Sequence, residues 1–330
     1  MKPANTIARI LVGATLTGLL LWLAFRNQDL SAVIATVLHQ PWEWFALLFV
    51  LNIVSHVLRA VRWTLLLEPV RPNIPVPAAF SALMTGFLVN GFIPRAGELV
   101  RCVLLGRRTG LPAETILSTV ILERLLDMVS FAAVLCLVVV INPGVVILWF
   151  PFMNGHEYLL RSGAFALLAI LLLLFVRASS VFSLLDSATR FIPERFRERY
   201  RRIVASFVEG FKAGGTRKNY LRIALLSASI WGMYIIILYL PLRLFGMVHL
   251  GIHAATVLQL MSGLASAMPV PNSVGSFHTF LAFMLTRGYG VAEGTALAYA
   301  VYTHGLYYLS IFFTGLAFAM REQWSWKQRS

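Results

Sequence analysis

The 330 residues are 58% hydrophobic and 13% charged, with mean hydropathy +0.77 and a formal net charge of +14. Apolar runs of about 20 residues, enough to cross a bilayer core of roughly 30 Å, recur along the chain and exclude an ordinary water-soluble enzyme or binding module. The basic excess does not point to nucleic acid: eleven of the 28 basic residues fall in 177–222 against four acids (Asp186, Glu194, Glu198 and Glu209), the signature of one cytoplasmic loop.

In chain order, the first span covers 7–25. Lys2 and Arg9 imitate the start of a signal peptide, yet no small-x-small cleavage site precedes Arg26 and the run is long, so a retained helix is expected. The second span, 42–67, carries Arg59 and Arg62 near its end. The stretch 76–104 is apolar but interrupted by Pro and Gly. Spans follow at 116–140 and 158–176. Within 181–213, Phe196, Tyr200, Ile203, Val204, Phe207, Val208 and Phe211 recur at helical spacing among crowded arginines. That pattern predicts amphipathic helix on the inner membrane surface, attracted to anionic headgroups. A span at 220–242, a second broken stretch at 253–287 and a last span at 292–320 complete the chain.

If both broken stretches are re-entrant, the two termini, Arg71, Arg107 and Arg108 fall on the cytoplasmic side with 177–219. The weakly charged connections 26–41, 141–157 and 243–252 then fall outside, as the positive-inside rule requires. The expected fold is an all-α integral membrane protein, with about six full spans and two re-entrant broken-helix hairpins. It is a single membrane domain of two halves, 1–150 and 151–330. Each half reads span, span, broken hairpin, span, and the second starts from the opposite side. The separation of Leu67 from Pro94 resembles that of Leu242 from Pro269 and Pro271. Inverted repeats with breaks at corresponding positions are the pattern of secondary transporters, with substrate held between the breaks.

The polar groups of the apolar segments gather in three places. The first break reads Asn90, Pro94, Arg95, Gly97, Glu98 and Arg101; helical spacing sets its polar groups on one stripe, and arginine forks suit phosphate. Glu123, Arg124 and Asp127 open the span 116–140, with the two acids at i, i+4. Asn52, His56, Arg59 and Trp63 share a face of the second span, with Arg62 beside them. The acids have Arg95, Arg101, Arg59 or Arg62 as candidate partners. Arginines outnumber the acids Glu98, Glu123 and Asp127, which favours an anionic ligand; a closed ion-pair network locking helices together is the competing reading. The second break offers Asn272, Ser273, Gly275 and Ser276 for hydrogen bonds, and His278, which either titrates or sits as a satisfied core residue. Cys102 and Cys136 lack metal-ligand spacing, and no phosphate loop, nucleophile elbow or cofactor motif is present.

Arg59-Ala-Val-Arg62-Trp63, the Asn90…Pro94-Arg95-Ala-Gly97-Glu98…Arg101 motif and Glu123-Arg124…Asp127 together resemble the lysylphosphatidylglycerol synthase transmembrane region, also called the flippase-like domain family. The resemblance implies a bacterial inner-membrane protein moving a lipid between leaflets: a phospholipid or, as in other members, a hopanoid or polyprenyl-type lipid. Synthase members carry a soluble aminoacyl-transferase domain after the membrane part; this chain ends at Ser330, so lipid aminoacylation is not expected. The family's second break usually ends in a glutamate where His278 stands here. The expectation is a lipid flippase or lipid-binding transporter, against a non-transporting scaffold and a membrane-embedded enzyme acting on a lipid headgroup.

Overall fold

A computed structural model describes residues 3–176 and 217–327. Most of the basic segment 177–219, with the amphipathic pattern of 181–213, lies outside the described residues. Among the described residues every regular element is helical: α1 (Pro3–Phe25), α2 (Leu30–Leu38), α3 (Trp42–Leu67), α4 (Val76–Asn90), α5 (Ala96–Thr109), α6 (Ala113–Ile141), α7 (Gly144–Trp149), α8 (Glu157–Val176), α9 (Arg217–Leu244), α10 (Gly251–Ala267), α11 (Ser276–Phe283) and α12 (Glu293–Lys327).

Local signals set most boundaries. Pro41, Pro75 and Pro112 stand at the N-caps of α3, α4 and α6, where a missing N–H costs nothing. Gly110, at φ +71°, closes α5 by donating its N–H to Gly106 O. Asp29 caps α2 by accepting from the N–H groups of Ser31 and Ala32. The connections expected at 26–41 and 141–157 therefore contain helix: α2 and α7 are too short to announce themselves as spans.

Both broken hairpins form. The chain leaves α4 at Asn90 and resumes helix at Ala96, with Arg95 left-handed at φ 64°. In the second hairpin, Asn272, Ser273 and Gly275 all take positive φ between α10 and α11. Among the described residues, four helical stretches are long and apolar enough to cross a membrane: Trp42–Leu67, Ala113–Ile141, Asn219–Leu244 and Val248–Ala267. The last is the first arm of the second hairpin, for which the sequence predicts a re-entrant course. Pro269 and Pro271 follow about twenty apolar residues, so that arm is nearly bilayer length, whereas α4, at 15 residues, reaches about 22 Å.

Packing follows the polarity of the surroundings. Apolar side chains such as Leu159, Phe165 and Ile170 on α8 are exposed, while Arg62, Arg101 and Glu123 are buried, the inverse of a water-soluble protein. One apolar cluster (Ala60, Trp63, Leu67, Leu83, Leu105, Ile116) joins α3, α4, α5 and α6. A second centres on α9, α10, α11 and α12. Helix pairings recur between the halves: α3 on α4 and α9 on α10, α5 on α6 and α11 on α12, α4 on α12 and α6 on α10, with α3 against α9 in the middle. The outermost helices differ, since α1 packs on α11 and α8 on α6.

Candidate functional site

Asn90 ends α4, and its Oδ1 accepts from the Gly97 N–H at 2.8 Å across the break. One of the four orphan donors of α5 is satisfied this way. Gly97 is held there by space: a Cβ on it would lie 1.8 Å from the Gly86 carbonyl oxygen. The polar stripe expected along 90–101 is interrupted at Arg95. Asn90 turns to the backbone, Glu98 crosses to Arg124 (Oε1 to Nη2, 2.7 Å), and Arg101 points into the bundle.

There Arg101 Nη1 donates to Glu123 Oε2 at 2.9 Å, and Arg59 Nη2 donates to Glu123 Oε1 at 2.5 Å. Arg59 also reaches Asp127 Oδ2 at 3.2 Å, and Arg62 Nη2 donates to Asp127 Oδ1 at 2.6 Å. The i, i+4 spacing of Glu123 and Asp127 on α6 presents both carboxylates to α3. Arg62 Nη1 is held by Ser227 Oγ and Arg59 Nη1 by Tyr234 OH, both on α9. Arg101 stacks on Trp63, guanidinium carbon 4.9 Å from the ring centroid. Three guanidiniums thus share two carboxylates away from bulk water. Several donors remain unmatched: Arg101 Nη2 and Nε, Arg59 Nε and Arg62 Nε have no hydrogen-bond partner among the described residues. His56, one turn before Arg59, has neither ring nitrogen bonded, and Thr85 Oγ on α4 is also unpartnered.

The second break is neutral. Gly275 N–H donates to His278 Nδ1 at 3.3 Å, which leaves the proton of a neutral ring on Nε2. His304 of α12 donates its Nε2 hydrogen to Asn272 O at 2.9 Å, and the two imidazoles lie 4.8 Å apart. Ser276 Oγ donates to Ala265 O, tying α11 back to α10.

The two breaks meet. A Cβ on Gly91 would lie 3.1 Å from Asn272 Nδ2. Exposed Arg95 extends Nη2 to Ala267 O at 3.4 Å. Gly13 of α1 sits against both: a Cβ there would be 3.2 Å from Pro269 O and 3.9 Å from ring atoms of Pro271 and Pro94.

A charged break, a neutral break in contact with it and an arginine-rich centre beneath them invite comparison with known families. The model of the lysylphosphatidylglycerol synthase TM region matches residues 7–315. The chain belongs to that family. No curated protein matches it. The lysylphosphatidylglycerol synthase TM region is a membrane unit linked to lipid handling, which agrees with the apolar helices here.

Within this family member the geometry sorts the expected residues. Arg59, Arg62, Arg101, Glu123 and Asp127 form one network. Glu98 and Arg124 form a separate pair near it. Arg95, Pro94, Gly97 and Asn90 shape the first tip, and Asn272, Ser273, Gly275 and His278 the second. Arg95 has no acidic partner among the described residues. Sequence reasoning missed Tyr234, Ser227, Gly86 and Gly13, and it did not link His304 to the second break. All five act through a neighbour remote in the chain, and no local motif marks them.

Proposed function

We propose that the protein is a lipid flippase or lipid-binding transporter of the bacterial inner membrane. It carries an anionic or phosphate-bearing headgroup through the space flanked by the two breaks while the acyl chains stay in lipid. The observation that carries this reading is the surplus of buried guanidinium donors, Arg101 Nη2 foremost, beside breaks that touch. Donors without acceptors suit phosphate oxygens, and arginine's planar fork presents them in pairs. Glu123 and Asp127 orient the arginines. No catalytic role is assigned to Glu123, because both its oxygens already accept from guanidiniums.

The inverted repeat belongs to this proposal, with both termini in the cytoplasm. The recurring helix pairs support it, and so does one hydrogen bond. Leu242 follows Leu67, and Pro269 follows Pro94, by the same interval that separates Arg59 from Tyr234, 175 residues. Equivalent positions of two halves touch each other only beside a two-fold axis. An axis through the Arg59–Tyr234 contact, lying in the membrane plane, puts the charged network near the bilayer midplane, where transporters of this design bind.

Arg95 gives the test. It is exposed and its removal leaves the network standing. In proteoliposomes with a leaflet-resolved headgroup assay, wild type is expected to move phospholipid and Arg95→Ala to lose most of that rate; equal rates at background for both would sink the proposal. A non-transporting scaffold is the second reading, favoured by the burial of Arg59 and Arg62 and by their ion pairs to Glu123 and Asp127. Under it, Arg95→Ala and wild type behave alike.

A further inference from the structure

At the far end of α11 from the second break, the chain makes a single π turn over Met284–Gly288. Such turns concentrate at functional sites. It packs against α7 and α12 and, together with the elbow between α1 and α2, lines a cavity of about 290 Å³ that includes Arg26, Asn27, Gln28, Thr286, Arg287 and Glu293. Arg26 and Arg287 are exposed, and neither has an acidic partner among the described residues. Arg26 is held over the Trp22 ring at 4.9 Å, and Gln28 Nε2 donates to Glu293 Oε2 at 3.0 Å, pinning the elbow to α12. Glu293 Oε1 is left uncommitted among the described residues. Beside the cavity, Leu19, Trp22, Leu23 and Phe283 present exposed apolar surface.

We propose that this cavity is a second lipid-headgroup site, specific for a phosphodiester that carries an amine. Arg26 and Arg287 take the phosphate, Glu293 Oε1 takes the ammonium, and the apolar strip along α1 and Phe283 receives the acyl chains. The site rests on the lipid-handling reading and extends it. Gly275 and Arg287 are twelve residues apart along α11 and its π turn, about 18 Å at helical rise, or roughly half the hydrocarbon core. The cavity thus lies a helix length away from the second break, at the end of the hairpin where α12 begins. The pairing of two guanidiniums with one carboxylate selects a zwitterionic headgroup over one with phosphate alone.

The test uses the full chain in detergent, with an environment-sensitive fluorophore on Leu23→Cys; Cys102 and Cys136 are buried. Dihexanoyl-phosphatidylethanolamine is expected to give a saturable change, dihexanoyl-phosphatidylglycerol to bind at least fivefold more weakly, and dihexanoylglycerol to give none. Arg26→Gln with Arg287→Gln should weaken the first at least tenfold, and Glu293→Gln should erase the preference between the two phospholipids. No response, an unchanged titration in the double variant, or equal binding of both phospholipids in wild type overturns the site. Arg95→Ala separates the two proposals: transport lost with the titration intact supports both, and a flat titration with transport intact removes this one alone.

Discussion

At the residue scale, the centre of the molecule is governed by unequal numbers: three guanidiniums on two carboxylates. Replacing one member of a buried ion pair leaves its partner unmatched and typically costs about 3–5 kcal/mol. Arg101→Met should therefore lower the thermal midpoint in detergent by much more than Arg95→Ala does. Arg101→Lys should rescue little, because lysine has neither the fork for Glu123 nor the flat face for Trp63. A midpoint for Arg101→Met like that of wild type would mean that the network contributes nothing to the fold. Gly97 makes a second residue-scale argument. With the Gly86 carbonyl 1.8 Å from the position of an added Cβ, Gly97→Ala must prise α4 from α5, and a loss at or above the 1–3 kcal/mol usual for overpacking is expected, about 3 kcal/mol or more. Gly18→Ala, with nothing within 4 Å, is the control and should be neutral or better in the same melt.

At the scale of elements, periodicity was a good guide wherever a helix was long. The i, i+4 relation of Glu123 and Asp127, and the shared face of His56, Arg59 and Trp63, were legible because α6 and α3 run unbroken through them. The same reasoning misjudged 90–101. Helical spacing joins Asn90 to Arg101 only if the helix continues, and the left-handed Arg95 divides it. Arg95 and Glu98, neighbours by count, find different partners for that reason. Short helices escaped: α2 is nine residues, and its start is marked by Asp29 rather than by an apolar period. That cap carries a pH dependence. The Ser31 hydroxyl, then the backbone N–H groups of Ala32 and Ser31, hold the Asp29 carboxyl below its ordinary value of 3.8. A depressed carboxylate stabilises the folded form above its unfolded pKa, and that contribution is lost as pH falls through the folded value. Amide exchange at Ser31 and Ala32, corrected for intrinsic rates, should therefore be flat from pH 7 to 5 and lose protection below about pH 4. Asp29→Ala should abolish that change, and if the variant keeps it, the cap is not its source.

The whole molecule poses the question of sidedness. Proposing an inverted repeat commits the chain to opposite faces for connections that look alike. Glu68, Asn154 and His249 are all exposed. With Cys102 and Cys136 buried, a cysteine at each can be labelled in right-side-out vesicles by a membrane-impermeant maleimide. Asn154→Cys and His249→Cys should react and Glu68→Cys should react only after lysis. Labelling of Glu68→Cys and Asn154→Cys from the same face would break the topology, and the pseudo-two-fold axis with it. The proposed axis matters to function because it would set the depth of the charged network.

The sequence by itself determined that this is a helical membrane protein, where its helices break and which polar residues stand near those breaks, because hydropathy, breakers and the 3.6-residue period are local properties. It also carried the family, through three motifs in order. Only the tertiary structure decided which arginine meets which acid, that the two breaks touch at Gly13 and Gly91, and that Tyr234 closes the network across the centre. Those outcomes depend on how helices cross. A hydrogen bond between residues 175 positions apart leaves no trace in the spacing of either.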